Sequence, residues 1–235
     1  MGSPSLQKKE ISDIRAWNEE MVLKHDPEAF HLHSSRLVRW IESRRVKAVL
    51  DAFRGKENGM ILEVGCGAGN ILEKVKAGRV VGIDFSLRMA KRTSERLANR
   101  TRVYSLQADG HKLPFQNQIF DGVICTEVLE HVEDPDQLLE EIHRTAKAGA
   151  SIALSVPNEE LINRMKSAVF KLRLRRILLK GNYEVPERMD DEWHLHVFDL
   201  KRLSAKLSHQ FHIKKIIAIP FSFLPLRHVI VCTPK

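Results

Sequence analysis

Three cysteines are spread over 235 residues, Cys66, Cys125 and Cys232, and no two stand at the spacing of a zinc pair or a disulfide framework. That sparse, odd set suits a reducing cytoplasm, and each thiol reads as a small buried hydrophobe. Long apolar runs are missing too. The longest, IIAIPFSFLPL (216–226), is short and broken by proline, which excludes a bilayer-spanning helix there. The opening MGSPSLQKKE has no apolar stretch of the kind a secretory signal needs, and Leu6 stands where myristoylation wants Ser or Thr. No internal repeat or low-complexity tract appears. What is present is ordinary: 43% hydrophobic and 29% charged residues, a composition that predicts one globular domain with appendages. The net charge of +8 points to an anionic partner, whether nucleic acid, a membrane surface or a charged substrate.

Residues 11–53 read as helical, because Leu37, Trp40, Ile41, Val46, Val49 and Leu50 fall near helical spacing and 28–54 holds no Gly or Pro. After the break RGKENG (54–59), apolar runs alternate with helix-like stretches. Strands are predicted at 60–64, 79–83, 102–108, 120–126 and 150–157, and helices at 70–77, 86–99 and 134–149. A helix near 200–208 and two strands, 212–219 and 228–233, close the chain as an antiparallel pair. Strand–helix alternation implies parallel strands joined by crossover helices, hence a three-layer, doubly wound α/β fold. A helical cap over 1–54 precedes the main domain, 55–235. The stretch 159–193 does not fit the alternation and reads as a basic helical insertion after the fifth strand.

The loop EVGCGAGN follows the first strand, where a doubly wound sheet binds nucleotides. Its G-x-G-x-G spacing, with Asn70 at the sixth position, departs from the G-x-G-x-x-G of dinucleotide sites. Asp84 ends the second strand nineteen positions after Gly65, and a carboxylate there can accept both hydroxyl protons of a ribose. Asp109, before Gly110, ends the third strand and can accept from an exocyclic amine. A glycine loop, a ribose acid and a base acid on successive strand ends describe an adenosine ligand without phosphates.

The ordered set EVGCGAG, GIDFS, ADGHKLPF, FDGVICTEVLEHV and SVPN resembles the class I S-adenosylmethionine-dependent methyltransferases, most closely the subgroup of the ubiquinone-biosynthesis O-methyltransferases. The resemblance covers about residues 60–158, is specific for the cofactor and says little about the substrate. It implies a Rossmann-like seven-stranded sheet with an antiparallel last strand. It also implies S-adenosylmethionine as cofactor, with Glu63 and the loop Gly65, Cys66, Gly67 and Gly69 at its methionine part. Asp84 would take the ribose hydroxyls, Phe85 and Met89 would pack on adenine, and Asp109 with the Gly110 amide would read the adenine edge. Thr126 would lie near the methionine backbone. A basic residue of the preceding helix meets the cofactor carboxylate in that family; Arg36 is the candidate, with Arg39 and Arg45 as alternatives.

Methyl transfer from a sulfonium is an in-line displacement that gains chiefly from alignment. A hydroxyl acceptor also gains from a base. His131 is expected to be that base, with Glu127 or Glu130 orienting its imidazole; the competing reading is a helix start. His31 and His33, and His194 and His196, form x-H-x-H pairs. Hard cations prefer oxygen donors over imidazole, so no metal is expected and these read as scattered surface histidines.

The segment 161–180 holds seven Lys and Arg and no acid, with one stripe of Ile162, Met165, Val169, Leu172 and Leu179 and a second of Phe170, Leu174, Ile177 and Leu178. It fits a membrane-interface element or a lid over the substrate pocket. Nucleic acid is the weakest reading: there is no N-P-P-[YF] loop, no Pro-Cys nucleophile and no appended RNA-binding module. The expectation is a cytoplasmic enzyme, with 161–180 as an option for peripheral membrane contact, methylating a small, apolar or lipid-like acceptor, oxygen before nitrogen. The alternatives are N-methylation of a small molecule, RNA or protein, and a non-catalytic cofactor-binding subunit. Oligomeric state is not legible.

Overall fold

Seven strands form one sheet in the order β3-β2-β1-β4-β5-β7-β6. The structure, a computed structural model, describes residues 13–26, 28, 34–171 and 193–235. His31, His33 and the part of the insertion from 172 to 192 lie outside the described residues, as does the Phe170 side chain. The strands are β1 (Met60–Val64), β2 (Arg79–Asp84), β3 (Val103–Gln107), β4 (Phe120–Thr126), β5 (Ala146–Pro157), β6 (Phe211–Phe221) and β7 (Leu224–Pro234). β1 pairs in parallel with β2 and β4, β3 with β2, and β5 with β4. β7 runs antiparallel to both β5 and β6, the arrangement the closing hairpin predicted.

The central strands are apolar without a break because both faces are covered. Successive side chains point to opposite faces. Leu62, Val123, Cys125, Ile152 and Leu154 enter one core, while Ile61, Ile124 and Ala153 enter the other. The first core is closed by α4 (Pro135–Thr145), through Leu138, Leu139 and Ile142, and by α6 (Leu200–Gln210), through Leu203 and Leu207. The second is closed by α2 (Arg36–Asp51), through Ile41, Val46 and Val49, and by Ile162 of α5 (Glu159–Lys171). α3 (Leu87–Arg96) crosses between β2 and β3, capped by Ser86, whose hydroxyl accepts from the Met89 N–H. All three cysteines are buried and reduced.

The expected N-terminal helices are α1 (Ile14–His25), capped by Asp13, and α2, capped by Ser35. Val49 and Phe53 are buried with β1 and β4, so the boundary expected at 54/55 runs through one packed core. The helix predicted at 70–77 is a single 3-10 turn, Leu72–Lys74. The Arg100 guanidinium donates to the carbonyls of Leu72, Glu73 and Val75 at 2.8, 2.6 and 3.0 Å, taking acceptors that a longer helix would use. α4 ends at Thr145 rather than Gly149, because Ala146 already pairs with Phe120 of β4 and Gly149 has a left-handed φ of 74°.

Candidate functional site

β1 and β4 lie side by side at the centre of the sheet, where the strand order reverses, and a crevice opens above their carboxyl ends. A cavity of about 490 Å³ occupies it. Its floor is the loop after β1. Gly65, Gly67 and Gly69 have φ of 70°, 52° and 79°, a region that L side chains avoid. At Gly65 a side chain would also collide with Val128, whereas at Gly67 the space is open. The glycines therefore serve both needs: the turn, and an uncovered main chain facing the cavity.

The other strand tips converge on this floor. Asp84 accepts from the Gly67 N–H at 2.8 Å through Oδ2 and from the Ser86 N–H at 2.9 Å through Oδ1, which ties β2 to the loop. Burial raises its pKa to about 6 against the pull of those two N–H groups, and the Glu19 carboxylate adds to the rise. Phe85 and the fully buried Met89 line the cavity beyond it. Asp109 Oδ1 accepts from the His111 backbone N–H at 2.9 Å and from Nδ1–H of the same residue at 2.8 Å; Nε2 of His111 in turn accepts from Asp134 N–H. His111 was not singled out in the sequence, although it stands inside ADGHKLPF. Gly110 and Thr126 also line the cavity. Cys66 contributes main chain: its buried thiol bonds weakly to Thr93, and burial holds it well above ordinary thiol acidity.

Glu63 is 2% exposed, lines the cavity, and its Oε2 has no hydrogen-bond partner among the described residues. Burial raises its pKa well above the carboxylate range, offset in part by Arg45. An orphaned buried acceptor of this kind fits an ammonium group.

Arg36 does not reach this place. It is exposed at the first turn of α2 and lies off the cavity, whereas Arg45, 3% exposed, lines it. The helical repeat decides this, since the inward face of α2 carries Ile41, Glu42, Arg45 and Val49. Arg45 donates to Glu42 at 2.9 Å and to Ser155 at 3.4 Å. Burial opposes its charge, but Glu42 and Glu127 outweigh that and raise its pKa. Arg227 completes the network, pairing with Glu42 at 3.1 Å and Glu127 at 3.0 Å. Neither Arg227 nor Glu42 was flagged by the sequence, because residues 42 and 227 come together only through the fold.

Glu127 and His131 both line the cavity but do not act on each other as expected. Glu127, at a left-handed φ of 54°, accepts from Ser155 Oγ at 2.7 Å and from Arg227. The imidazole of His131 is instead oriented by the Trp193 carbonyl, which accepts from Nδ1–H at 3.1 Å and leaves Nε2 as the acceptor nitrogen. Burial, with His194 and His25 nearby, drives the His131 pKa down to about 3 although the Trp193 carbonyl resists. That is far from the value near 7 that suits a general base, so the imidazole is held neutral. Glu130 is 1% exposed and its Oε2 has no partner among the described residues; burial raises its pKa well above the usual range.

The two histidines of the x-H-x-H pair meet different partners. His196 is half-buried and donates from Nε2 to the Glu133 carbonyl at 3.3 Å. His194 corrects the expectation of a surface histidine: its side chain is 8% exposed and Nδ1 bonds to Glu159 at 3.0 Å. The remaining walls are apolar: Trp17 and Val22 of α1, Leu37 and Ile41 of α2, Met165 and Val169 of α5. The cavity thus has a polar half over β1–β3 and an apolar half roofed by helices, meeting at Thr126 and His131.

Residues 62–154 match the family of methyltransferase domains. The demethylmenaquinone methyltransferase of Thermobifida fusca is 32% identical over 150 residues, 62% of this chain and 61% of that protein. A ubiquinone biosynthesis O-methyltransferase of Hydrogenovibrio crunogenus is 27% identical over 136 residues, 56% of each chain. The chain spans between 35% and 60% of the length of the curated relatives it matches first. Among solved structures, the N-methyltransferase NodS of Bradyrhizobium japonicum with S-adenosyl-L-homocysteine superposes with a TM-score of 0.65 at 15% identity, covering 94% of this chain and 99% of that one. At that identity the likeness is one of fold.

Proposed function

We propose, for a chain that belongs to the class I S-adenosylmethionine-dependent methyltransferases through its residues 62–154, that it transfers a methyl group to a hydroxyl on a small, apolar or lipid-like acceptor. The observation that carries this reading is the two-part cavity, polar over the strand tips and apolar under the helices, with one neutral imidazole at the junction.

Bound S-adenosylmethionine supplies a methyl group already activated on a sulfonium. The chain's own residues bind, align and exclude water. The bare main chain of Gly67 admits the cofactor, and Glu63 accepts from its ammonium group. Arg45 meets its carboxylate, in place of Arg36. Asp84 retains lone pairs on both oxygens for the ribose hydroxyls after serving Gly67 and Ser86. Phe85 and Met89 enclose adenine, and Asp109 with the Gly110 N–H meets its edge. His131 accepts the acceptor's hydroxyl hydrogen bond at Nε2 and points the oxygen at the methyl. Its depressed basicity makes it an aligning group more than a base, and alignment alone is worth up to about 7–11 kcal/mol in intramolecular reactions. Apolar walls from α1, α2 and α5 select a hydrophobic acceptor, and the basic composition of 161–180 favours anionic lipid surfaces. Among the described residues no helix is long and apolar enough to cross a membrane.

The test is incubation of the protein with methyl-labelled S-adenosylmethionine and extracts of lipids and small metabolites, followed by mass spectrometry. Label in an apolar O-methyl product supports the reading; label in N-methyl products alone, or in nothing, overturns it. Replacing His131 by Ala should lower turnover about 10²-fold, within the range for lost acid–base or aligning groups. S-adenosylhomocysteine affinity should not change in that variant.

A further inference from the structure

The hairpin between β6 and β7 turns at Ser222 and Phe223, a place where glycine and short polar residues are the rule. Here it falls within 216–226, the longest apolar run of the chain, and Phe223 is 82% exposed. The rings of Phe221 and Phe223 stack with centroids 5.0 Å apart, and Trp40 of α2 lies 5.7 Å from Phe221. Leu37, a turn before Trp40, is exposed as well. Arg44, a turn after it, holds its guanidinium over the Trp40 and Phe221 rings at 5.5 and 5.6 Å. Its Nε–H donates to the Pro220 carbonyl at 3.2 Å, which fastens α2 to the hairpin. Leu37, Trp40 and Arg44 share one face of the helix, because residues three and four apart are neighbours. Arg36 and Arg39 are exposed beside them. No acid occurs from 200 to 235, and the two acids of α2 are spoken for. Glu42 is buried against Arg45 and Arg227, and Asp51 pairs with Lys47 and Arg54 at the other end of the helix. The surface is apolar and positive.

Its position ties it to the cavity. Arg227 of β7 stands opposite Pro157, the last residue of β5, so the turn at 222–223 projects past the carboxyl end of β5, where the cavity opens. Leu37 both lines the cavity and reaches solvent, and Leu226 lines it behind the turn. We propose that the β6–β7 turn and the first turns of α2 dock the protein on an anionic lipid bilayer. Phe223 and Phe221 enter the acyl boundary, while Trp40 and the arginines stay among the headgroups, where indole rings and guanidinium groups are stable. Positive charge without a free acid complements anionic lipid, and a projecting tip offers a peptide no groove to lie in. Exposed aromatic surface of this kind marks a site of contact. The use of the docked state rests on the apolar-acceptor reading: an acceptor dissolved in the bilayer passes Leu37 into the cavity without crossing water. Docking itself needs no methyl transfer, so either claim can fail without the other.

The experiment is cosedimentation of the full-length protein with vesicles of phosphatidylcholine mixed with phosphatidylglycerol, and with vesicles of phosphatidylcholine alone. Binding should favour the mixed vesicles and weaken as salt is added. Phe223→Ser should lower affinity for the mixed vesicles about tenfold or more, the effect of withdrawing one inserted aromatic side chain. Phe223→Trp should keep that affinity, and Arg39→Glu should lower it and flatten its salt dependence. Tyr104→Ser should change nothing, since this exposed aromatic stands on β3 at the opposite edge of the sheet. Unaltered S-adenosylhomocysteine affinity in each variant shows that the fold is intact. No binding by the wild-type protein, equal binding to uncharged vesicles, or unchanged binding by Phe223→Ser overturns the proposal, and the last result moves the contact to another part of the chain. Vesicle binding that Phe223→Ser abolishes, in a protein that labels no apolar acceptor, upholds docking and overturns the substrate reading alone.

Discussion

The two halves of the cavity are built in opposite ways. The polar half comes from Glu63, the glycine loop, Asp84, Phe85, Asp109 and Thr126, each at or just past the carboxyl end of one of four adjacent strands. Every one of those positions is placed by its own strand, so neighbouring residues in the chain are neighbours in the site. The apolar half is gathered from α1, α2, α5, the segment at 193–194 and the start of β7. It is held together by ion pairs that bridge distant parts of the chain, such as Arg227 with Glu42 and Glu127. One half is a property of a motif, the other of a packing arrangement.

Arg227→Met would break that contrast most severely. It leaves Glu42 and Glu127 buried against fewer positive charges, and loss of one member of a buried pair costs about 3–5 kcal/mol. A lower denaturant midpoint at unchanged slope would show it. Next in size, Asp84→Ala removes hydrogen bonds to a charged acceptor, worth about 1.5–3 kcal/mol each, and should weaken S-adenosylhomocysteine at least tenfold by calorimetry.

A sharper cut, where α2 reaches the strand tips, is Arg45→Met. It should weaken S-adenosylhomocysteine by about tenfold, as expected for a lost charged hydrogen bond, yet leave 5′-methylthioadenosine, which lacks the amino-acid end, bound as before. Arg36→Ala should change neither affinity, and a loss there would return the carboxylate contact to the exposed end of α2. The mildest probe is pH. Ribose hydroxyls donate to the ionised form of Asp84, whose pKa without ligand is about 6. Above that value affinity should be flat; below it, binding must first expel a proton, and affinity should fall by up to about tenfold per unit. Asp84→Asn should abolish the slope.

The alternation of apolar runs and helix-like stretches was enough to read off a doubly wound sheet, because strands buried on both faces leave continuous hydrophobic segments, and the proximity of the last two runs suggested their antiparallel pairing. The glycine loop, Asp84 and Asp109 were legible for the same local reason: each follows a strand, and strand ends define the crevice. The helix at 70–77 misled, since Arg100, near the end of the next crossover, takes its carbonyls by long-range hydrogen bonds. Choosing among Arg36, Arg39 and Arg45 needed the rotation of α2 against β6 and β7, which spacing within the helix does not specify. Whether His131 answers to Glu127 or to Trp193 needed the return of the chain at 193, sixty-two residues later. Sequence alone determined what short-range periodicity and strand ends determine: the fold class and the strand-tip half of the cavity. Tertiary packing alone decided which buried charges neutralise one another and which side chains face the acceptor, because Coulomb energy and desolvation depend on distance in space and on exclusion of water, neither of which is written in residue order.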